Sequence, residues 1–113
     1  MQKNRYISLI FFCLFPILAK SQKIFSTNYS SDSDLKVFVV NYESLSDLKG
    51  FKVEYESQSK GNEGWWYFVK YRSQSDKKVY FVDYESQSDL KIYFVKYKSS
   101  AGWRNPSKKH LLY

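Results

Sequence analysis

Polar and apolar residues alternate along this chain in a block of 13 that recurs six times between Lys23 and Trp103. The copies begin at Lys23, Lys36, Lys49, Trp65, Lys78 and Lys91, and one break, Asn62-Glu63-Gly64, separates the third from the fourth. We number the unit from one to thirteen. Position three is aromatic in every copy (Phe25, Phe38, Phe51, Tyr67, Tyr80, Tyr93), and position five is β-branched from Thr27 to Val95. Position seven is always tyrosine, from Tyr29 to Tyr97, and position nine always serine. Alternation with period two in β-forming residue types predicts one strand per unit, and no segment carries a helical period. The stretch Ser86-Gln87-Ser88-Asp89-Leu90 and its equivalents supply turn residues.

A four-residue loop at Gln87 to Leu90 would keep equivalent positions on one face of an antiparallel hairpin. It would pair Tyr84 with Tyr93, Val82 with Val95 and Tyr80 with Tyr97, cross-strand pairs of a stabilising kind. The expected fold is therefore all-β, six tandem strand-turn repeats in an antiparallel meander or small barrel. Rows three and seven are expected to form its core. The alternative is a short β-solenoid with like positions stacked. Columns of lysine at position one and aspartate at position twelve speak against that stacking. Positions two and four, such as Val37 and Val39, Trp66 and Phe68, Val79 and Phe81, or Ile92 and Phe94, make the second face apolar as well. Such a sheet needs a second layer, a tightly curved barrel or self-association.

Residues 1–21 read as a secretion signal: Lys3 and Arg5, an apolar run from Ile7 to Leu18, then Ala19-Lys20-Ser21 as cleavage site. The run is too short to span a bilayer core about 30 Å thick. Taking 21 from 113 residues leaves 92 in the mature chain, with Cys13 removed and hence no disulfide or thiol nucleophile. The expected organisation is signal 1–21, repeat domain 22–103 and basic tail 104–113, the tail folding back through Leu111, Leu112 and Tyr113. Loss of Lys3, Arg5 and Lys20 takes 18 basic residues to 15 against 11 acidic, a net of +4 with both signs interleaved. An exported chain without a basic stripe argues against nucleic acid.

The phrases Tyr42-Glu43-Ser44, Tyr55-Glu56-Ser57-Gln58-Ser59 and Tyr84-Glu85-Ser86-Gln87-Ser88-Asp89-Leu90 carry a family resemblance. The ending Gly102-Trp103-Arg104-Asn105 with Lys108-Lys109-His110 adds to it. The mature chain resembles domain-of-unknown-function family 6150, small bacterial proteins of repeated Y-E-S-Q-A-D units, with serine mostly in place of alanine. That resemblance implies a bacterial, Bacteroidota-like origin and brings no activity or ligand.

Little chemistry is written here. His110 is the single histidine, so neither a metal site nor a Ser-His-Asp set can be assembled, and no cofactor is implied. The repeated serines read as turn hydrogen-bonders. Asp83 and Glu85 share a strand face, but Lys70, Arg72, Lys96 and Lys98 at the same positions of neighbouring copies make them ion-pair partners and not a glycosidase pair. The reading is non-enzymatic. Trp65, Trp66 and Trp103 interrupt the repeat, and with Phe68, Phe81 and Phe94 they are the candidate ligand or interface contacts. Three roles follow: a secreted or periplasmic interaction module for an envelope component, a self-assembling surface protein, or a carbohydrate-binding module using exposed Trp and Tyr.

Overall fold

The computed structural model describes residues 21–112; residues 1–20, where the secretion signal is expected, and Tyr113 lie outside them. Each unit contributes one strand, running from position thirteen of the preceding unit to about position four. They are β1 (Lys23–Ser26), β2 (Leu35–Val39), β3 (Leu48–Lys52), β4 (Trp65–Phe68), β5 (Lys77–Phe81) and β6 (Leu90–Phe94). A short β7 (Gly102–Trp103) and a 3₁₀ helix (Pro106–Leu112) follow. The six strands close into a barrel in the order β4-β1-β5-β2-β6-β3, with β3 returning to β4.

All six pairings around the barrel are parallel, and only β7 runs antiparallel, against the start of β3. This corrects the antiparallel meander. Tyr84 does not meet Tyr93, nor Val82 Val95, nor Tyr80 Tyr97. The solenoid is closer in strand direction, yet its coils do not stack. The first coil, β1 to β3, and the second, β4 to β6, alternate around a single barrel.

Stagger is what makes short parallel connections feasible. Each strand is offset by two residues from its neighbour, as in Ile24 against Phe68 on one side and Lys77 on the other. A two-residue offset at ordinary strand spacing tilts the strands by about 54°. Consequently Val79 of β5 pairs with both Ser26, the end of β1, and Leu35, the start of β2. The connection has only to cross the outside of β5, about 10 Å, and need not run back down the barrel. Ile92, Ile24 and Val37 are straddled in the same way. The offset also removes the like-charge columns that spoke against parallel strands. Lys23 lies beside Tyr67, Lys36 beside Tyr80 and Lys49 beside Tyr93, so lysines meet aromatic rings.

Every crossing is fixed at both ends. At its start the position-five N–H donates to the position-two carbonyl of the crossed strand in all six copies, from Thr27 to Val79 through Val95 to Gly50 (2.8–2.9 Å). At its end, four aspartates grip position one of that strand twice. Asp34 donates its N–H to the Lys78 carbonyl (2.8 Å), and its carboxylate accepts the Lys78 N–H (2.8 Å). Asp47 does the same to Lys91, Asp76 to Lys23 and Asp89 to Lys36. Between the two anchors lies a 3₁₀ turn closed by the position-eleven serine. Ser33, Ser46, Ser59, Ser75 and Ser88 each donate to the carbonyl three residues back (2.7–2.8 Å).

The third connection breaks the rule because the chain must change coils there. It crosses β4, with Val53 bonded to Trp66 (2.9 Å), and reaches β1, where Gln22 donates to Ser59 (2.8 Å). It then turns back on Gly61 (φ 76°) and Gly64 (φ 88°) to enter β4. The inserted Asn62-Glu63-Gly64 is that return.

The core is the inward row at positions thirteen and two, not rows three and seven. Ile24, Val37, Leu48, Trp66, Val79, Leu90 and Ile92 are completely buried. Gly50 leaves room for the neighbouring strand's Ile92: a Cβ there would lie 2.6 Å from Ile92 Cδ1 and 3.4 Å from Phe94 Cε1. Leu112 of the 3₁₀ helix joins this core, with Leu111 packed against it. The position-seven tyrosines, by contrast, begin the 3₁₀ turns outside the barrel and are 64–70% exposed.

Asp47 carries an extra load. Arg104 and Asn105 donate backbone N–H groups to its carbonyl, and Asn105 and Lys108 reach its carboxylate (both 3.3 Å). Burial, to 6% exposure, works to raise its pKa. The Lys91 N–H, the Asn105 amide and the Lys108 ammonium outweigh it and hold the carboxyl below 3.8. A depressed folded pKa contributes stability present above the unfolded value and lost as pH falls through the folded one. Asp47→Ala should therefore cost about 1–3 kcal/mol at pH 7 and flatten the acid limb of the stability profile below pH 4. Urea denaturation from pH 7 to pH 2 reads both, and an unchanged acid limb would count against this account. Gly50→Ala should overpack the barrel by about 1–3 kcal/mol, with Ile92→Val recovering part of the loss in the double variant's melting temperature.

Candidate functional site

The six sequence candidates fall in three places. Trp66 is wholly enclosed in the barrel, so it packs and does not meet a ligand. It touches Phe68 and Phe94 edge-on, both at 6.1 Å between ring centres, and Phe68 lies 6.4 Å from Phe81. The three phenylalanines, all from the second coil, narrow the barrel mouth. The first coil contributes the smaller Ser26 and Val39 at position four, and Lys52, whose ammonium lies over Phe94 (4.6 Å) and Phe68 (5.6 Å). Trp103 is at the opposite end of the barrel, beside Leu48, with its indole N–H on the Asn62 carbonyl (2.8 Å). Trp65 is on the outer wall. These residues form no common site.

The outer wall has an organisation of its own. At four of the six places the position-one side chain meets position eight of the crossing that ends beside it. Lys23 pairs with Glu56 and Lys49 with Glu43 (both 3.4 Å), and Lys91 pairs with Glu85 (3.5 Å). At the fourth such place position eight is Lys98, and position one has become Trp65. The Lys98 ammonium lies 4.2 Å from the Trp65 ring centre, and the indole N–H points at the Lys98 carbonyl (3.4 Å). A cation over an indole replaces an ion pair. Trp65 is thus a compensated exchange within the wall. Arg72 faces elsewhere, pairing with Asp32 and stacking near Phe25 (5.8 Å).

Two clefts of about 300 Å³ each open on this wall, and they are copies of one another. The first is lined by Lys23, Glu56, Tyr67, Val69 and Gln74. The second is lined by Lys36, Ser30, Tyr80, Val82 and Gln87. Both use position one of the first coil with positions three, five and ten of the second, and position eight of a crossing. The place equivalent by the repeat has Lys49, Glu43, Tyr93 and Val95. Sequence reasoning missed these residues, although a signal was present: position three is phenylalanine throughout the first coil and tyrosine throughout the second. At position three only the second coil carries a hydroxyl.

Crossings from each coil thus pass over strands of the other, so the two coils are interlaced. The model of a family described as the 7(1) septoil knot domain matches residues 21–104. The chain belongs to that family. The match covers all six repeats and β7, the part of the septoil knot in which crossing and crossed strands alternate. No curated protein and no solved structure matches the chain.

Among the described residues of this septoil knot, no three His, Cys, Asp or Glu side chains gather as metal ligands. Among the same residues no helix is long and apolar enough to cross a membrane. His110 sits in the C-terminal 3₁₀ helix with Nδ1 on the Ser107 carbonyl (2.9 Å).

The Trp65–Lys98 couple makes a sharp test. Trp65→Lys alone sets two ammonium groups together, and Lys98→Glu alone removes the cation. Each should cost about 0.5–1 kcal/mol. The W65K/K98E double variant recreates the ion pair of the other copies and should regain most of that stability. Chemical denaturation of the four proteins closes the cycle, and additive losses would refute the couple.

Proposed function

We propose that this small β-rich knotted domain is a non-enzymatic interaction module of the cell envelope or extracellular space that binds glycan on its outer wall. A bacterial origin and export through signal 1–21 belong to the same proposal. The observation that carries it is the repeated cleft. A polymer of sugar units presents the same face again and again, and a wall that repeats Lys, Tyr, Val and Gln at one spacing matches such a ligand. Tyrosine offers a flat apolar face with a hydroxyl at its edge, and Gln and Lys supply hydrogen bonds to sugar hydroxyls. Several weak sites on one rigid body give avidity to a polymer without tight binding at any one.

The closed barrel also bears on the self-assembling alternative. Its strands pair on both sides, and β7 covers the start of β3 below the point where β4 joins. Edge-to-edge growth has no long free strand to use.

The test is retention of residues 22–113 on immobilised envelope polysaccharide. The wild-type domain should be retained, and a Tyr67→Ala, Tyr80→Ala double variant should lose at least tenfold in affinity while keeping its circular dichroism. Retention that survives the double variant, or that instead disappears with Phe81→Ala at the barrel mouth, would overturn the wall as the binding surface.

A further inference from the structure

We infer that the cleft of Lys36, Ser30, Tyr80, Val82 and Gln87 is a selective site for an acidic sugar unit, a uronate or other carboxylated saccharide. This rests on the glycan reading above and narrows it to one cleft and one ligand charge. The three equivalent places on the wall act as internal controls for each other. In two of them a glutamate sits against the lysine, Glu56 on Lys23 and Glu43 on Lys49 (both 3.4 Å). Those lysines are already neutralised, and an incoming carboxylate would meet a carboxylate.

In the remaining cleft position eight is Ser30. Among the described residues no carboxylate is in ion-pair contact with the Lys36 ammonium. The Asp89 carboxylate nearby is spent on the Lys36 backbone N–H (3.0 Å). The lining therefore presents an ammonium, two hydroxyls and a carboxamide around an apolar floor of Tyr80 and Val82. This is a donor-rich set with one uncompensated positive charge, in a cleft of about 300 Å³, room for a single sugar ring. A neutral sugar would use the hydroxyls, the amide and the ring face. A uronate would add a charge-assisted bond from Lys36, the stronger kind.

The decisive variants change position eight, which lies in an exposed turn and takes Glu in three other copies, so the fold tolerates either residue. Calorimetric titration of the domain with an α-1,4-linked galacturonate trimer should show one site, and maltotriose should bind at least tenfold more weakly. Ser30→Glu, which installs the acid of the other copies, should abolish the galacturonate preference while leaving the melting temperature equal or higher. Glu56→Ser should free Lys23 and raise the galacturonate stoichiometry from one to two.

If both trimers bind equally and Ser30→Glu changes neither, the acidic-sugar inference fails while the wall remains a glycan surface. If neither trimer binds, both readings fail together. If inorganic phosphate competes fully with galacturonate at the same concentration, the site is a plain anion site and the saccharide assignment is overturned.

Discussion

Everything in this fold hangs on the two anchors that hold each crossing to the strand beneath it. A parallel pair of strands ordinarily needs a long connection, most often a helix, because the chain must return to the starting end. Here the tilt removes the return, but it leaves a seven- or eight-residue segment lying across a foreign strand, with polar backbone to satisfy. The position-five N–H and the position-twelve aspartate settle that account on the crossed strand itself. The carboxylate matters because the position-one N–H faces a side on which the strand's ladder has not yet begun, as Lys78 does ahead of the Leu35–Val79 pairing. Since each crossing belongs to one coil and each crossed strand to the other, the same bonds that finish the local turn also lock the coils together.

That locking explains why the repeat varies where it does. Positions five, eleven and twelve face the core or the anchors and change little, whereas positions two and thirteen range among Val, Ile, Leu, Gly, Lys and Trp. Exceptions sit where the geometry itself changes. Lys60 replaces aspartate at position twelve where the chain reverses to change coils, and Gly102 replaces it where β7 pairs directly with Lys49. Gly50 gives its volume to Ile92 and Phe94 of the neighbouring strand, and Trp66 fills the core from the equivalent position of the next unit. Of the outward positions, eight and ten vary most, while position one departs from lysine once, at Trp65, and position three alternates between Phe and Tyr. Specificity has to be written there.

The units, their strands and the turn between them were legible because period-two alternation and Ser-Asp-rich punctuation are local signals. Strand direction was not. Alternation separates two faces but does not say which one is inside, and here both carry apolar residues. Numbering the unit from its lysine also splits the inward row Leu35, Val37, Val39 across a boundary, which made the aromatic row at three and seven look like the core. The two-residue stagger, which converts a lysine column into lysine–aromatic neighbours, is a property of closure and has no local trace. Connections that interlace are rare enough among proteins that local pattern gives no reason to propose them. The candidate site suffered in the same way: tryptophans stand out as letters, whereas the clefts are made by ordinary letters that only the alternation of coils brings together.

Interlacing also sets the terms on which such a chain reaches its native state. The aspartate anchors join residues 44 or 53 apart in sequence, and no coil can close before the other is threaded between its strands. Loop closure over such spans precedes the contacts that reward it, which makes for slow folding. The compensation is rigidity in the product. A wall held by six position-five bonds and four aspartate grips has little freedom to rearrange around a ligand, so whatever it binds must match its spacing as built. A rigid surface of shallow, repeated clefts discriminates poorly by shape and well by charge, because every cleft has nearly the same outline. The single exchange of glutamate for serine beside Lys36 is the one charge difference among those clefts, and the acidic-sugar proposal rests on it.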